Sequence, residues 1–165
     1  MQCLSGHLQE ILNRGALSVS SQLIGLTQRV LDITVEYVKI RQQFGKPIGS
    51  FQAIKHLLAD IQVQLEFARP VVYKAAYSLA ADEPGRYRDV SYAKLASSKI
   101  SKLAARSVIQ AHGAIGYTWE ADLQIFMKRI WFLNIFWGSH SWHLNRLEEE
   151  LLSPSSKIGP GTSFV

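Results

Sequence analysis

The sequence predicts an all-α protein, an antiparallel four-helix bundle with one or two short extra helices. Three observations predict this class. Apolar residues recur at spacings of three and four over long stretches, which is the period of one helix face. No stretch alternates apolar and polar residues as a half-buried strand would. The 165 residues, 47% hydrophobic and 19% charged, are enough for a single domain with a sizeable core.

This predicted helical domain spans residues 1–152, and residues 153–165, "SPSSKIGPGTSFV", are predicted to be a flexible tail. The first helix is predicted to run for about ten turns. Two glycines, Gly15 and Gly25, interrupt it, and each costs about 1 kcal/mol relative to alanine. Close approach of another backbone or a ligand would explain them, and so would tolerated weakness. The apolar stripe of this helix is Leu8, Leu12, Ala16, Val19, Leu23, Leu26, Val30, Ile33 and Tyr37.

The segment "RQQFGKPIGS" is predicted to be a turn, because glycine and proline punctuate it, and Ser50 is the expected N-cap of helix two. Pro70 lies inside that second helix and predicts a kink near residues 66–69. The apolar stripe of helix two is Phe51, Ile54, Leu58, Ile61, Leu65, Ala68, Val72, Ala75 and Leu79.

Three further helices complete the prediction. Helix three covers about residues 90–111, is rich in alanine and serine, and has Tyr92 among its expected inward residues. The glycine-punctuated loop "HGAIGYTWE" separates it from helix four, at about residues 121–136. A last helix begins at Ser139 and ends near Leu152.

Charge and composition exclude several classes of function. The net charge of +5 and pI of about 9.4 permit nucleic-acid binding, but the basic residues are scattered and lack an aromatic-interleaved motif, so we expect no nucleic-acid partner. The nearest thing to a basic stripe is interpreted as a solvated helix face; it consists of Lys94, Lys99, Lys102 and Arg106. The sequence predicts no membrane span and no signal peptide. One cysteine, Cys3, fits a reducing compartment, and we expect a cytoplasmic location.

The first candidate site is the turn "RQQFGKPIGSFQ". Arg41 and Lys46 flank it, Phe44 offers an aromatic face, and Gln52 can donate from its amide at the start of helix two. A helix N-terminus favours an anion, so a phosphate-bearing ligand would suit this corner. The alternative is a capped interhelical turn with solvated cations.

The second candidate site is "QAHGAIGY". Gln110 and His112 lie at the end of helix three, followed by Gly113 and Gly116. Gly113 is typical of a helix stop, but two glycines also allow a backbone to lie against a flat ligand. The sequence does not decide between these interpretations.

The third candidate is "NIFWGSHSW". Ser139 and His140 are adjacent, which is a poor arrangement for a nucleophile and its base, so Ser139 is interpreted as the N-cap of the last helix. His140 and His143 are three residues apart without a nearby carboxylate or cysteine, so no metal site is predicted.

These motifs, "RQQFGKPIGSFQ", "QAHGAIGYTWEADLQIFMKR" and "FWGSH", together resemble the C-terminal helical domain of acyl-CoA dehydrogenases. The resemblance covers about residues 8–152. It implies a flavoenzyme that binds FAD and desaturates acyl-CoA thioesters, in which a base removes the α-proton. The isolated chain, without the family's other two domains, is expected to be inactive.

What the resemblance implies for single residues is a set of FAD contacts. Arg41 matches the arginine that binds the pyrophosphate, commonly of a neighbouring subunit's FAD, and Phe44 and Gln52 match other residues of that site. Gln110 and Gly113 match the segment along the adenosine half. Ser139 and Ser141 fall where the family has a threonine and a glutamine, so the first replacement keeps a hydroxyl and the second loses an amide.

The same resemblance puts the catalytic base in question. The common motif Tyr-Glu-Gly-Thr is replaced by Phe-Trp-Gly-Ser, so Trp137 stands where the glutamate would be. The alternative base position, on the first helix, is Gly15. An indole N–H only donates, and a general base must accept a proton. We therefore expect no catalytic residue in this chain.

Two explanations of the missing base remain open. In the first, Trp137 fills the acyl cavity of a subunit that has lost its active site and lends Arg41 and Gln52 to the flavin of a catalytic partner. This chain resembles subunits of bacterial heteromeric acyl-CoA dehydrogenases involved in breakdown of steroid side chains, which implies a homo- or hetero-oligomer with another acyl-CoA dehydrogenase chain, an acyl-CoA substrate and an electron-transfer partner. In the second, an unusual base comes from the missing domains or from elsewhere. The rival hypothesis is a helical interaction scaffold that binds no flavin.

Overall fold

The protein is a bundle of long helices in a computed structural model that describes residues 2–153, with side chains from residue 6 onwards. The described residues contain five α-helices: α1 (Gln2–Ile40), α2 (Gln52–Ala80), α3 (Arg86–His112), α4 (Leu123–Ile135) and α5 (His140–Leu151). The predicted all-α fold is confirmed, and each predicted helix is present within a few residues of its expected bounds.

Helix α3 is the centre of the bundle, since it contacts each of the other four helices. Small buried side chains make this possible, because alanine and serine let neighbouring helices approach closely. Two of the buried serines satisfy their hydroxyls locally: Ser97 donates to the Lys94 carbonyl and Ser101 to the Ser98 carbonyl, both at 3.2 Å.

The core has two parts. The larger cluster contains buried residues from all of the first four helices, among them the fully buried Leu23, Leu65 and Ile130. A smaller cluster, centred on Ala16 and Ala75, lies toward the N-terminal half of α1. Trp137 packs against both clusters, so the turn between α4 and α5 is anchored to the core.

The α1–α2 connection contains structure that the sequence did not predict. Strand β1 (Gln42–Gln43) pairs antiparallel with strand β2 (Lys46–Pro47), which makes a short hairpin where only a turn was expected. The two residues between the strands both have positive φ, +54° at Phe44 and +76° at Gly45. Such a two-residue loop matches the right-handed twist of the strands, which is why it can close the hairpin.

One detail of α2 differs from the expectation. Ser50 does not cap the helix, because its hydroxyl donates to the Pro47 carbonyl at 2.7 Å, and Phe51 occupies the N-cap position without a side-chain cap. Helix α2 runs from Gln52 to Ala80 with Pro70 inside it, and the kink near residues 66–69 stays a prediction.

The interpretation of Lys94 as part of a solvated basic face was wrong. Its side chain is fully buried, and its ammonium donates to the carbonyls of Leu133 at 2.6 Å and Phe136 at 2.9 Å. Lys94 therefore satisfies the last carbonyls of α4, a role that suits a cation at a helix C-terminus. The other three members of that stripe are exposed, and Tyr92, expected inward, is also exposed.

Among the described residues, none of the helices has the length and apolar character needed to cross a membrane. The predicted tail lies outside the described residues, apart from Ser153.

Candidate functional site

One end of the bundle carries an open groove of about 670 Å³. The end of α1, the hairpin, the start of α2 and the end of α3 form its walls. Four of the predicted site residues line it together: Arg41, Phe44, Gln110 and Gly113. Because two of these follow α1 and two end α3, the groove exists only through the packing of helices that are distant in sequence.

Arg41 supplies the free positive charge of this groove. Its backbone is fixed on both sides, since its N–H donates to the Tyr37 carbonyl at 2.9 Å and its carbonyl accepts from the Ile48 N–H at 2.8 Å. Its guanidinium is exposed and has no hydrogen bond or ion pair to the part of the chain that the structure describes. A fixed backbone with an unused guanidinium is suited to bidentate binding of a phosphate.

Phe44 is held at the rim of the groove in an unfavourable conformation. Its φ of +54° is in the left-handed region, and its side chain is 91% exposed, touching Phe51 edge-on at 6.1 Å between centroids. A bulky residue with positive φ is strained, and exposing a phenyl ring to water adds to the cost. Strain of this kind concentrates at functional sites, so the ring is a candidate contact for a flat ligand.

The two interpretations of Gly113 are both satisfied by the geometry. Its φ of +66° ends α3, and its N–H donates to the Ile109 carbonyl, as expected of a helix stop. Among the described residues, no heavy atom lies within 4 Å of where its Cβ would be. The backbone at Gly113 is therefore open to a ligand in the groove.

His112 forms the buried wall beside Gly113. Its ring stacks on Tyr37 at 4.2 Å, and its Nδ1 donates to the Val108 carbonyl at 2.8 Å. Burial lowers the pKa of His112, so the ring is neutral at physiological pH. Sequence reasoning named His112 in the second candidate site but gave it no role, because its stacking partner Tyr37 is 75 residues away.

Gln52 lies at the edge of this site rather than in its lining. It is the first residue of α2, is exposed, and follows Phe51, which does line the groove. Since α2 has no side-chain cap, its N-terminus and the Gln52 amide both remain available to an anion.

The other predicted site is a closed aromatic turn at the opposite end of α1. Trp137 has φ +57° and Gly138 φ +100°, so the chain turns sharply between α4 and α5. The indole lies directly on Gly15, where a Cβ atom would come within 2.3 Å of Trp137 Cδ2. The two positions at which the resemblance places a base are therefore in contact, and the indole fills the space between them.

Two buried side chains hold this turn in place. His143 Nε2 donates to the Trp137 carbonyl at 3.1 Å, and its Nδ1 lies 3.2 Å from the Ser91 hydroxyl. Burial lowers the pKa of His143 to about 4, so it stays neutral. Lys94 binds the carbonyl of Phe136, one residue before the tryptophan. The turn that contains Trp137 is thus held by His143 from α5 and by Lys94 from α3.

The serines of the third motif lie beside this turn. Ser139 is the N-cap of α5, accepting from the Trp142 N–H at 3.2 Å, as predicted. Ser141 is exposed on the first turn of α5. Neither lies near the Arg41 groove, because Gly15, on which the turn rests, and Arg41 are 26 positions apart, which is about 39 Å at 1.5 Å per residue.

Glu10, the α1 carboxylate nearest to Gly15 in sequence, is already engaged by two partners. Glu10 accepts from the Tyr87 hydroxyl at 2.9 Å and from Arg14 at 2.6 Å. The Tyr87 hydrogen bond, followed by those of Arg14, lowers the pKa of Glu10. Among the described residues no cluster of three or more histidine, cysteine or carboxylate side chains could hold a metal ion.

The fold and the groove define a helical domain with an end suited to a flat, anionic ligand. Sequence comparison identifies the family of this helical domain: the profile of the family "Acyl-CoA dehydrogenase, C-terminal domain" matches residues 6–152. The chain belongs to the acyl-CoA dehydrogenase family, of which it represents the C-terminal domain.

Individual relatives agree with this assignment. The chain is 40% identical over 141 residues to acyl-CoA dehydrogenase IpdE2 of Mycobacterium tuberculosis, covering 86% of this chain and 42% of that protein. Butyryl-CoA dehydrogenase from Megasphaera elsdenii superposes with a TM-score of 0.84 at 32% identity, covering 89% of this chain and 38% of that one.

The fold also matches a chain from a complex of two proteins, ChsE4 and ChsE5. A chain of the ChsE4-ChsE5 complex from Mycobacterium tuberculosis has a TM-score of 0.81 at 27% identity and covers 87% of this chain and 39% of that one. The chain therefore spans less than half the length of the relatives it matches.

Proposed function

We propose that this chain is the flavin-binding and assembly domain of an acyl-CoA dehydrogenase, and that it has no catalytic base of its own. The single observation that carries the proposal is the groove in which Arg41, Phe44, Gln110 and Gly113 converge. The chain would bind FAD there as part of a larger assembly.

The groove residues fit such a cofactor in three respects. The free guanidinium of Arg41 and the uncapped start of α2 suit a pyrophosphate. The open backbone at Gly113 and the exposed ring of Phe44 suit a planar group. When bound, the flavin accepts the hydride released from the acyl chain.

The closed turn supports the second half of the proposal. A general base must accept a proton within hydrogen-bond distance of the substrate, and the indole of Trp137 offers only a donor. Since the indole also rests on Gly15, no acyl chain can occupy that volume in this conformation. A chain of this kind needs a partner that supplies the base.

The distance between the two ends favours an oligomer. Arg41 lies about 39 Å along α1 from Gly15, on which the Trp137 turn rests, and this is too far for both ends to touch one part of a single cofactor. In the proposed assembly the Arg41 end contributes to the flavin of another acyl-CoA dehydrogenase chain, and an electron-transfer partner reoxidises it. The complex of two proteins among its relatives supports this arrangement.

The test is co-expression with a base-bearing acyl-CoA dehydrogenase chain, followed by an absorption spectrum of the purified complex. We expect a yellow complex, and Arg41→Ala should reduce its flavin content at least about tenfold, since a charge-assisted phosphate contact contributes about 1.5–3 kcal/mol. Arg29→Ala, at an exposed arginine on the same helix, should leave the flavin unchanged.

Three results would reject the proposal. A colourless complex, or a flavin spectrum unchanged by Arg41→Ala, would favour the scaffold interpretation. Reduction of an electron-accepting dye by the isolated chain in the presence of acyl-CoA would show that the chain has a base after all.

A further inference from the structure

His112 brings an unused hydrogen-bond acceptor to the wall of the groove. The residue is only 7% exposed and lines the groove beside Gly113. Its Nδ1 carries the ring proton, because the Val108 carbonyl at 2.8 Å can only accept. The neutral ring therefore keeps a lone pair on Nε2, and this atom has no hydrogen-bond partner among the described residues. Since Nε2 is not sealed in the core, it is open to the groove.

The imidazole ring is held so that this acceptor cannot turn away. Tyr37 stacks on it with ring centroids 4.2 Å apart and ring planes 17° from parallel. The Tyr37 hydroxyl also donates to the backbone carbonyl of His112 at 3.4 Å, and the bond from Nδ1 to Val108 fixes the rotation of the ring. A preorganised acceptor loses little conformational entropy when a ligand binds to it.

The other groove residues narrow the chemistry of the ligand. Arg41 is the only charged side chain among the described residues that line the groove, so an anionic group is favoured there. The side-chain amides of Gln43 and Gln110 can present either a donor or an acceptor. Neutral His112 offers only an acceptor at Nε2, so the ligand must carry an N–H or O–H donor as well as a negative charge.

The position of His112 favours a donor on the planar part of the ligand. Arg41 follows α1, whereas His112 and Gly113 are adjacent at the end of α3, so the phosphate and the planar group meet different walls. The open backbone at Gly113 suits a flat base, whose exocyclic groups project at its edge. Adenine carries a donor amine at its 6-position, whereas hypoxanthine carries a carbonyl there, which only accepts.

We propose that His112 selects the base of the bound nucleotide, with its Nε2 accepting a hydrogen bond from the exocyclic amine of adenine while Arg41 binds the phosphates. The proposal deepens the flavin-binding function and rests on it, because FAD contains an adenine nucleotide. It gives His112 a specificity role that is separate from the affinity supplied by Arg41. A site built to hydrogen-bond an N–H group rejects an analogue without it, because the acceptor is then left unpaired.

The test is calorimetric titration of the 165-residue chain with ADP and with IDP, in which hypoxanthine replaces adenine. We expect ADP to bind about tenfold more tightly than IDP. His112→Phe keeps an aromatic ring that can stack on Tyr37 but removes the acceptor. It should bring the two dissociation constants to within about twofold of each other.

Two control variants separate selection of the base from general damage to the groove. Arg41→Ala should weaken ADP and IDP alike and leave their ratio unchanged, because both nucleotides carry the same phosphates. His140→Phe replaces an exposed histidine of α5, at the other end of the bundle, and should change neither dissociation constant.

Two amide variants keep the test independent of the aromatic ring. His112→Gln places an amide oxygen at about the reach of Nε2, so it should retain the preference for ADP. The shorter side chain of His112→Asn can still donate to the Val108 carbonyl but lacks that reach, so it should lose the preference. Absence of nucleotide binding, equal binding of ADP and IDP to the unaltered chain, or a preference that survives both His112→Phe and His112→Asn would overturn the role of His112.

The role of His112 and the flavin-binding function can fail separately. A yellow complex made with a chain that does not distinguish ADP from IDP would reject only the role of His112. A colourless complex made with a chain that prefers ADP would reject only the flavin-binding function.

Discussion

At the scale of single residues, the contact between Gly15 and Trp137 explains why an unfavourable glycine lies inside α1. A helix gains about 1 kcal/mol when glycine becomes alanine, but here a Cβ would collide with the indole ring. Gly25 is the matched case on the same helix, because no atom of the described residues lies within 4 Å of where its Cβ would be.

We therefore predict opposite effects of the same substitution at these two glycines. Gly15→Ala should lower the free energy of unfolding by about 1–3 kcal/mol through overpacking, and Gly25→Ala should raise it by about 0.5–1 kcal/mol. Urea unfolding measures both. In a Trp137→Ala background the effect of Gly15→Ala should disappear or reverse; a persistent loss would mean that the indole is not the cause.

At the scale of elements, the hairpin between α1 and α2 contains a residue, Phe44, whose backbone conformation lowers stability while its ring is exposed to a ligand. Asparagine is preferred at the first position of such a loop and glycine at the second, yet this chain has Phe44 before Gly45. Left-handed backbone costs a residue with a large side chain about 1–2 kcal/mol.

Phe44→Asn should thus raise the free energy of unfolding by up to about 1 kcal/mol while weakening flavin retention in the complex. Urea unfolding gives the first quantity and flavin absorbance the second. Phe44→Leu, which keeps the strain but removes the aromatic ring, should lose flavin without the gain in stability. Equal flavin content in all three proteins would contradict the role assigned to the ring.

The elements also show how far the sequence could be interpreted unaided. Helix periodicity and the Ser139 cap are local patterns, so the five helices and the start of α5 were predictable. The burial of Lys94 was not, because its partners are carbonyls 39 and 42 residues away. The contact of Gly15 with Trp137 likewise depends on tertiary packing, although the resemblance singled out both positions.

At the scale of the whole molecule, the stability of the bundle should depend on pH in two windows. Burial lowers the pKa of His143 to about 4, against an ordinary 6.5, and that of Lys94 to about 8, against an ordinary 10.5. Between each pair of values the unfolded chain binds more protons than the folded one. The free energy of unfolding therefore rises with pH in both windows.

Urea unfolding at a series of pH values should show one rise between about pH 4 and 6.5 and another between about pH 8 and 10.5. Lys94→Met should remove the upper rise, and it should also cost about 1–3 kcal/mol at neutral pH by leaving two carbonyls of α4 unpaired. An upper rise that survives this replacement would assign the titration to another group.

The molecule as a whole thus presents two separate sites. One is a groove at the start of α2 that is suited to an anion, and the other is the closed aromatic turn between α4 and α5.

The indole resting on Gly15 also has an evolutionary consequence. While tryptophan occupies position 137, every substitution of Gly15 introduces a side chain into space that the ring already fills. A lineage with this pair cannot place an acid at position 15 by a single replacement without a clash with the indole. Position 137 must therefore change before position 15, so the order of the two events is constrained.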